Sequence, residues 1–161
     1  MSRLENASVR RVRDALAAAG LEDRVIELSE TARSAEDAAA SIGCELGAIV
    51  KSLVFAVNGR AVMVLVAGDR QCDVKKLPAV LGLDGKCKRA DPDLVREATG
   101  FAIGGVAPLA HATDLPIAID RSLSRFATVY AAAGHSHCVF PACFDELVKM
   151  TNGTVSDEIG I

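Results

Sequence analysis

Apolar positions along the chain change their period several times, and each change marks an element. Val9, Val12, Leu16 and Ala19 fall at helical spacing through residues 6 to 19, with Gly20 placed to end the helix. A short strand is predicted over residues 24 to 28. Ser34-Ala35-Glu36-Asp37 opens an Ala-rich helix as an acidic variant of the capping box, and Gly43 closes it. From Ile49 to Val57 the pattern alternates at about the strand period. Asn58-Gly59 then supplies the chemistry of a tight hairpin turn, returning through residues 61 to 66. Helical spacing follows over 74 to 81, where Pro78 is placed to break it, and a short strand over 86 to 89. Asp91 reads as an N-cap with Pro92 at the first helical position and Gly100 as the stop. Further strands are predicted over 101–103, 117–119, 127–130 and 138–140, and a last helix over 141–149. No internal repeat, low-complexity tract or linker interrupts this order, so residues 1–161 are expected to form one α+β domain with a mixed central sheet.

Two places depart from plain patterning. Lys51 shares a strand face with Ile49, Leu53 and Phe55, so its ammonium must reach a cavity or pair with an anion. The run Thr99-Gly100-Phe101-Ala102-Ile103-Gly104-Gly105-Val106-Ala107-Pro108 combines a glycine pair, which allows a sharp turn and close approach to a ligand, with a proline that stiffens the exit. Together they suggest a site where backbone N–H groups meet a carbonyl or phosphate and an ammonium supplies compensating charge.

Composition narrows the partners. At 161 residues the chain can bury about two thirds of its unfolded surface, enough for an ordinary core. Half of the residues are hydrophobic but only 4% aromatic, with no Trp and one Tyr, so base-stacking platforms are scarce and a sequence-reading RNA module is disfavoured. A net charge of −3 lacks the basic footprint of a dedicated nucleic-acid binder, and neither DNA nor a membrane is expected as a partner. A ligand gripped only at its end needs no more than a local patch. Lys75, Lys76, Lys86, Lys88, Arg89, Arg121 and Arg125 are its candidates, and solvated surface charge explains each equally well. No apolar run reaches the roughly 18 residues of a membrane span, and Met1 to Asn6 lack the apolar segment of a signal peptide, so a cytoplasmic location is expected. The five cysteines form no Cys-x-x-Cys pair and are read as reduced, mostly buried small hydrophobes.

Lys51-Ser52, Thr99-Gly100 and Gly104 through Pro108 continue into Asp120 at the end of Leu-Pro-Ile-Ala-Ile-Asp, Phe126-Ala127-Thr128-Val129-Tyr130, and Gly134. In this order and spacing the motifs resemble the YbaK/ProX family of trans-editing aminoacyl-tRNA deacylases, also found as the editing insertion of bacterial prolyl-tRNA synthetases. The resemblance covers about residues 24 to 158. It implies a partly closed, barrel-like mixed sheet with flanking helices. It also implies hydrolysis of the ester of a misacylated tRNA, most simply tRNA-Pro carrying cysteine, alanine or a similar small residue. The partners implied are the 3′ end of the aminoacyl-tRNA and a prolyl-tRNA synthetase; no cofactor or metal is required. Lys51 would bind and orient the substrate, plausibly through the terminal phosphate, and the N–H groups of Gly104 and Gly105 would hold the aminoacyl carbonyl and its oxyanion. Ser52, Thr99, Gly100, Val106, Ala107, Pro108, Asp120 and His135 are the expected substrate-binding set. Some relatives keep a histidine at the place of His135 that helps select the amino acid. Lys51-Ser52 departs from the asparagine that follows the lysine in the alanine-specific subgroup, which weakens alanine without establishing cysteine.

Other readings of the same residues stand beside this one. Ser52 has no evident base or orienting group and equally forms a polar pocket wall. Asp120 caps a turn or faces the pocket; Phe126 and Tyr130 read as core; His111 reads as a surface residue beside the loop. His135-Ser136-His137-Cys138, with Cys143 and His111, offers zinc-type ligands, although two histidines at i, i+2 supply neither ligand count nor supporting shell. The rival functions are a non-catalytic tRNA-end or synthetase-binding module and, further off, a metal-dependent small-molecule hydrolase.

Overall fold

A computed structural model describes residues 3–28 and 34–161. Helix α1 (Ala7–Ala18) starts where the Asn6 side chain accepts from the Ser8 N–H, and it buries Val9, Val12 and Leu16. Strand β1 (Ile26–Glu27) is brief. Helix α2 (Ala35–Ile42) is capped by the Ser34 hydroxyl on the Asp37 N–H. The hairpin of β2 (Val50–Val57) and β3 (Arg60–Ala67) turns at Asn58-Gly59 as the sequence predicts. Then come α3 (Leu77–Val80), β4 (Cys87–Arg89), α4 (Pro92–Thr99) capped by Asp91, and β5 (Ile117–Asp120). Strands β6 (Val129–His135) and β7 (Cys138–Ala142), helix α5 (Phe144–Thr151) and β8 (Thr154–Ser156) complete the order.

Strand pairing makes two sheets. Five strands run β4-β2-β3-β5-β8, antiparallel among β4, β2 and β3 and parallel from β3 through β5 to β8. Three run β1-β7-β6, antiparallel throughout. A single parallel bridge between Ile49 and Tyr130 links the sheets, and these pairings do not close a barrel. The central strand β3 is buried on both faces from Ala61 to Ala67, which explains its unbroken apolar sequence. One face, with Met63 and Leu65, packs against α1, Phe101, Val106 and the inner side of β6 and β7; the other, with Val62, Val64 and Val66, packs against Leu77 and Ile159. No helix among the described residues is long and apolar enough to cross a membrane.

Several elements differ from the pattern reading. Residues 101–103 form no strand: Phe101 is buried, and the chain then turns, with Gly104 at φ +97°. The helix expected over 74–81 shrinks to one turn around Pro78. Pro141 belongs to β7, so the last helix starts at Phe144. Strand β6 runs on to His135 through an irregularity between Ala132 and His135, and β8 had no apolar alternation to announce it.

Candidate active site

The site grows out of an interruption in strand pairing. Strand β2 is paired to β3 along its full length, but on its other edge β4 covers only Phe55 to Val57, and the bridge to β6 touches only Ile49. Residues 50 to 54 therefore present an edge without a strand partner among the described residues. Such an edge carries backbone donors and acceptors that a ligand can satisfy. Two cavities open along it, of about 310 Å³ and 720 Å³, and both are bounded by Ser52, Leu53, Ile103, Gly104 and Val106. The smaller extends between β2, α2 and β6 to Ala38, Tyr130 and His135. The larger extends along β4 to Arg89 and to the start of α4 at Asp91 and Pro92.

The glycine turn divides the two cavities. Gly105 donates its N–H to the Ala102 carbonyl at 3.1 Å, closing a tight turn with Ile103 and Gly104 at its tip. The N–H groups of Gly104 and Val106 have no protein partner among the described residues. Ile103 is 63% exposed at the tip of the turn, where it borders both cavities. Gly105 lies hard against β6: a Cβ there would stand 2.8 Å from the His135 backbone nitrogen.

Ser52 and Lys51 occupy opposite faces of β2. Ser52 is opposite Leu65 in register and so faces the core that includes Val106, whereas Lys51 is opposite Val66 and faces the core around Leu77. The Ser52 hydroxyl is buried without a hydrogen-bond partner, an orphan that native interiors seldom tolerate and that a ligand would relieve. Lys51 borders the smaller cavity, but its ammonium donates to the Arg70 carbonyl.

The remaining expected residues separate into two groups. His135 and Val106 line the site with Ser52 and Gly104. His135 Nδ1 accepts the His137 backbone N–H at 3.0 Å, so the neutral ring carries its proton on Nε2 and can donate there. Thr99, Gly100, Ala107, Pro108 and Asp120 line neither cavity. Thr99 is fully buried and its hydroxyl donates to Val95 O and accepts from the Phe101 N–H; Gly100 is the left-handed cap of α4. His111 is half-buried beside the loop, where its Nε2–H donates to the Ala107 carbonyl at 2.7 Å, and burial holds its pKa below the ordinary value. Asp120, 2% exposed, accepts from the Ala67 N–H and from both the N–H and hydroxyl of Ser122, a cap that joins β3 to the turn after β5.

The cysteine and histidine candidates for metal do not assemble: among the described residues no group of three or more His, Cys, Asp or Glu side chains could hold an ion. Burial, chiefly, pushes the Cys72 thiol up to about 12, so it is no nucleophile at neutral pH. Tyr130, read from sequence as core, lines the smaller cavity, and so does Ala38 of α2. Neither carries a signal in sequence, because only the packing of α2 and β6 against the β2 edge brings them there.

A two-sheet α+β scaffold thus carries a divided pocket, built on a strand edge and a glycine turn, whose polar groups come mainly from the backbone. The chain belongs to the aminoacyl-tRNA editing domain family, whose model matches residues 29–150. It is 39% identical over 114 residues to the uncharacterized protein YwhH of Bacillus subtilis, covering 70% of this chain and 71% of that one. It is 26% identical over 130 residues to the Enterococcus faecalis protein named "Putative Cys-tRNA(Pro)/Cys-tRNA(Cys) deacylase EbsC", covering 80% and 79%. Its fold matches the crystal structure of "a putative trans-editing enzyme for prolyl tRNA synthetase" with a TM-score of 0.88 at 41% identity, over 96% of this chain and 98% of the other.

Proposed function

We propose that this protein hydrolyses the ester of misacylated tRNA, with tRNA-Pro bearing a small non-cognate residue as the substrate, and that residues 1–161 act as one editing domain. The observation that carries the reading is the divided pocket at the Ser52 edge of β2. The cavity of about 310 Å³ suits the aminoacyl group, the groove of about 720 Å³ suits the terminal nucleoside, and the ester between them falls at the Gly104 turn. Membership of the editing family and the names of its relatives support tRNA-Pro as the carrier. A synthetase pocket rejects a residue one methylene smaller by only about 1–3 kcal/mol, which is why a second, size-limited hydrolytic site is useful.

In this reading water adds to the ester carbonyl carbon, and the oxyanion is held by the N–H groups of Gly104 and Val106. The bond to the ribose oxygen then breaks, and that oxygen takes up a proton. Assistance comes from the neighbouring ribose hydroxyl, and where the amino acid is cysteine its own thiol can attack in place of water. Ser52 donates to the substrate and so loses its orphan status, and His135 Nε2–H bounds the amino-acid pocket. Lys51 joins by exchanging the Arg70 carbonyl for the terminal phosphate, which the open edge beside it permits. Arg89, with Lys88 on the same exposed strand, continues the phosphate path.

The test is single-turnover hydrolysis of tRNA-Pro charged in turn with proline, cysteine, alanine and smaller non-protein residues. Rapid release of one small non-cognate residue, with prolyl-tRNA spared, is the expected result. Tight binding without release of any of them would leave only a tRNA-end binding module.

A further inference from the structure

Arg11 belongs to α1, outside the residues 29–150 that the family model matches, yet its side chain acts on the glycine-containing loop. Its Nη2 donates to the Thr99 carbonyl at 2.9 Å and its Nε to the Ala110 carbonyl at 3.0 Å. Those two carbonyls are the two ends of the segment that carries Gly104, Gly105 and Pro108. The guanidinium also lies 4.2 Å from the centroid of the Phe101 ring, the first side chain inside that segment. Among the described residues no carboxylate pairs with Arg11, so its charge is directed at the two carbonyl dipoles and the Phe101 ring.

Two further features fit a clamp. Ala110 holds φ +65°, a left-handed conformation unfavourable for a residue with a Cβ, and its carbonyl is the one that Arg11 Nε holds. At Gly100 a Cβ would stand 2.7 Å from Arg11 Nη2, so the guanidinium comes as close to the loop as it does because that residue has no side chain. An arginine fork makes both bonds from one rigid plane, which lysine cannot do.

We propose that Arg11 is a positioning residue for deacylation: by tying both ends of the 99–110 loop to α1 it fixes the Gly104 turn against the β2 edge without touching the substrate. The inference rests on the functional reading above, and its test has a readout that needs no activity. Arg11→Met and Arg11→Lys are compared with wild type by amide hydrogen exchange and by single-turnover deacylation of cysteinyl- and alanyl-tRNA-Pro. Exchange across residues 101–110 should quicken in both variants while β2 and β3 keep their protection. Because a misplacement of about 1 Å can cost about 100-fold, hydrolysis by Arg11→Met should slow by about 10- to 100-fold and by Arg11→Lys less, with tRNA affinity within about twofold. Unchanged exchange across 101–110 overturns the clamp whether or not the protein deacylates anything, so this failure is distinct from failure of the functional reading. A looser loop with hydrolysis at the wild-type rate overturns the link from loop position to turnover. Equal loss of protection in β2 and β3 makes Arg11 a general stability residue and overturns the proposal; if Arg11→Met does not fold, Arg11→Lys carries the comparison.

Discussion

At the scale of single residues, the orphaned Ser52 hydroxyl and the two adjacent glycines make the sharpest predictions. Removing a buried, unpaired hydroxyl, as Ser to Ala does by leaving a methyl side chain, removes a desolvation penalty of about 1–3 kcal/mol. Ser52→Ala should therefore unfold at equal or higher denaturant concentration than wild type while hydrolysing its substrate more slowly; loss of stability with full activity would show that the hydroxyl serves the fold. Gly104→Ala and Gly105→Ala should part company. At Gly104 nothing stands within 4 Å of a new Cβ, and the cost is the left-handed backbone alone, about 1–2 kcal/mol. At Gly105 the Cβ would strike the backbone of His135 and Gly134, so the turn must leave β6 and the protein should lose more stability. Gly104→Ala is thus the informative variant for catalysis: a folded protein with hydrolysis slowed about 100-fold fits loss of an oxyanion donor, and wild-type turnover removes the turn from the mechanism. Lys51→Ala should keep the fold and lose most turnover, since the one side-chain bond Lys51 makes among the described residues is to a loop carbonyl; retained turnover would confine Lys51 to that loop contact. Asp120→Ala, in contrast, should cost about 3 kcal/mol by leaving three donors unpaired, and denaturation rather than kinetics is the measurement that registers it.

Among the elements, the segment between α4 and β5 shows how an irregular loop is held. Its carbonyls at Thr99, Ala107 and Ala110 are bonded by Arg11 and His111, and Phe101 anchors it in the core. The His111 imidazole is held below its ordinary 6.5, first by burial and then by the Arg11 charge. A group whose folded pKa is depressed takes up protons more readily when unfolded. Its contribution is fully present above about pH 6.5 and is lost as pH falls through the folded value. Unfolding free energy should therefore drop between pH 7.5 and 5 more in wild type than in His111→Gln, which keeps a donor for the Ala107 carbonyl. Equal slopes would assign the pH dependence elsewhere. The depressed carboxylates Asp23, Asp69 and Glu146 act in a lower window, below ordinary values of 3.8 to 4.5. The elements that sequence announced well were those with strong local chemistry, such as the Asn58-Gly59 hairpin and the Asp91-Pro92 start of α4. At residues 101–103 a buried apolar residue flanked by small ones has strand-like local character, whereas in the fold Phe101 is buried and the Thr99 carbonyl accepts from Arg11, 88 residues away in the chain, and from the Ala112 N–H.

For the molecule as a whole, a net charge of −3 leaves tRNA affinity to local cations. If Lys88 and Arg89 follow the phosphates, Lys88→Ala with Arg89→Ala should reduce the slope of log affinity against log salt by about 1.4, roughly 0.7 for each single-strand contact. An unchanged slope would move the RNA path off β4. Chelators should leave turnover intact, and stoichiometric zinc whose removal abolished it would restore the metal reading. What the sequence by itself determined was the set of parts: the hairpin, the capped helices, the glycine turn, and, through motif order, the family. These depend on neighbours a few residues apart, where turn chemistry and periodicity act. What only the tertiary structure decided was how the parts meet. The unpaired edge of β2, the cores that the two faces of β2 meet, the structural bonding of Asp120 and the hold of Arg11 on the loop all depend on which strand or helix packs beside which. That choice is made by burial of surfaces contributed from across the chain, and no local pattern encodes it.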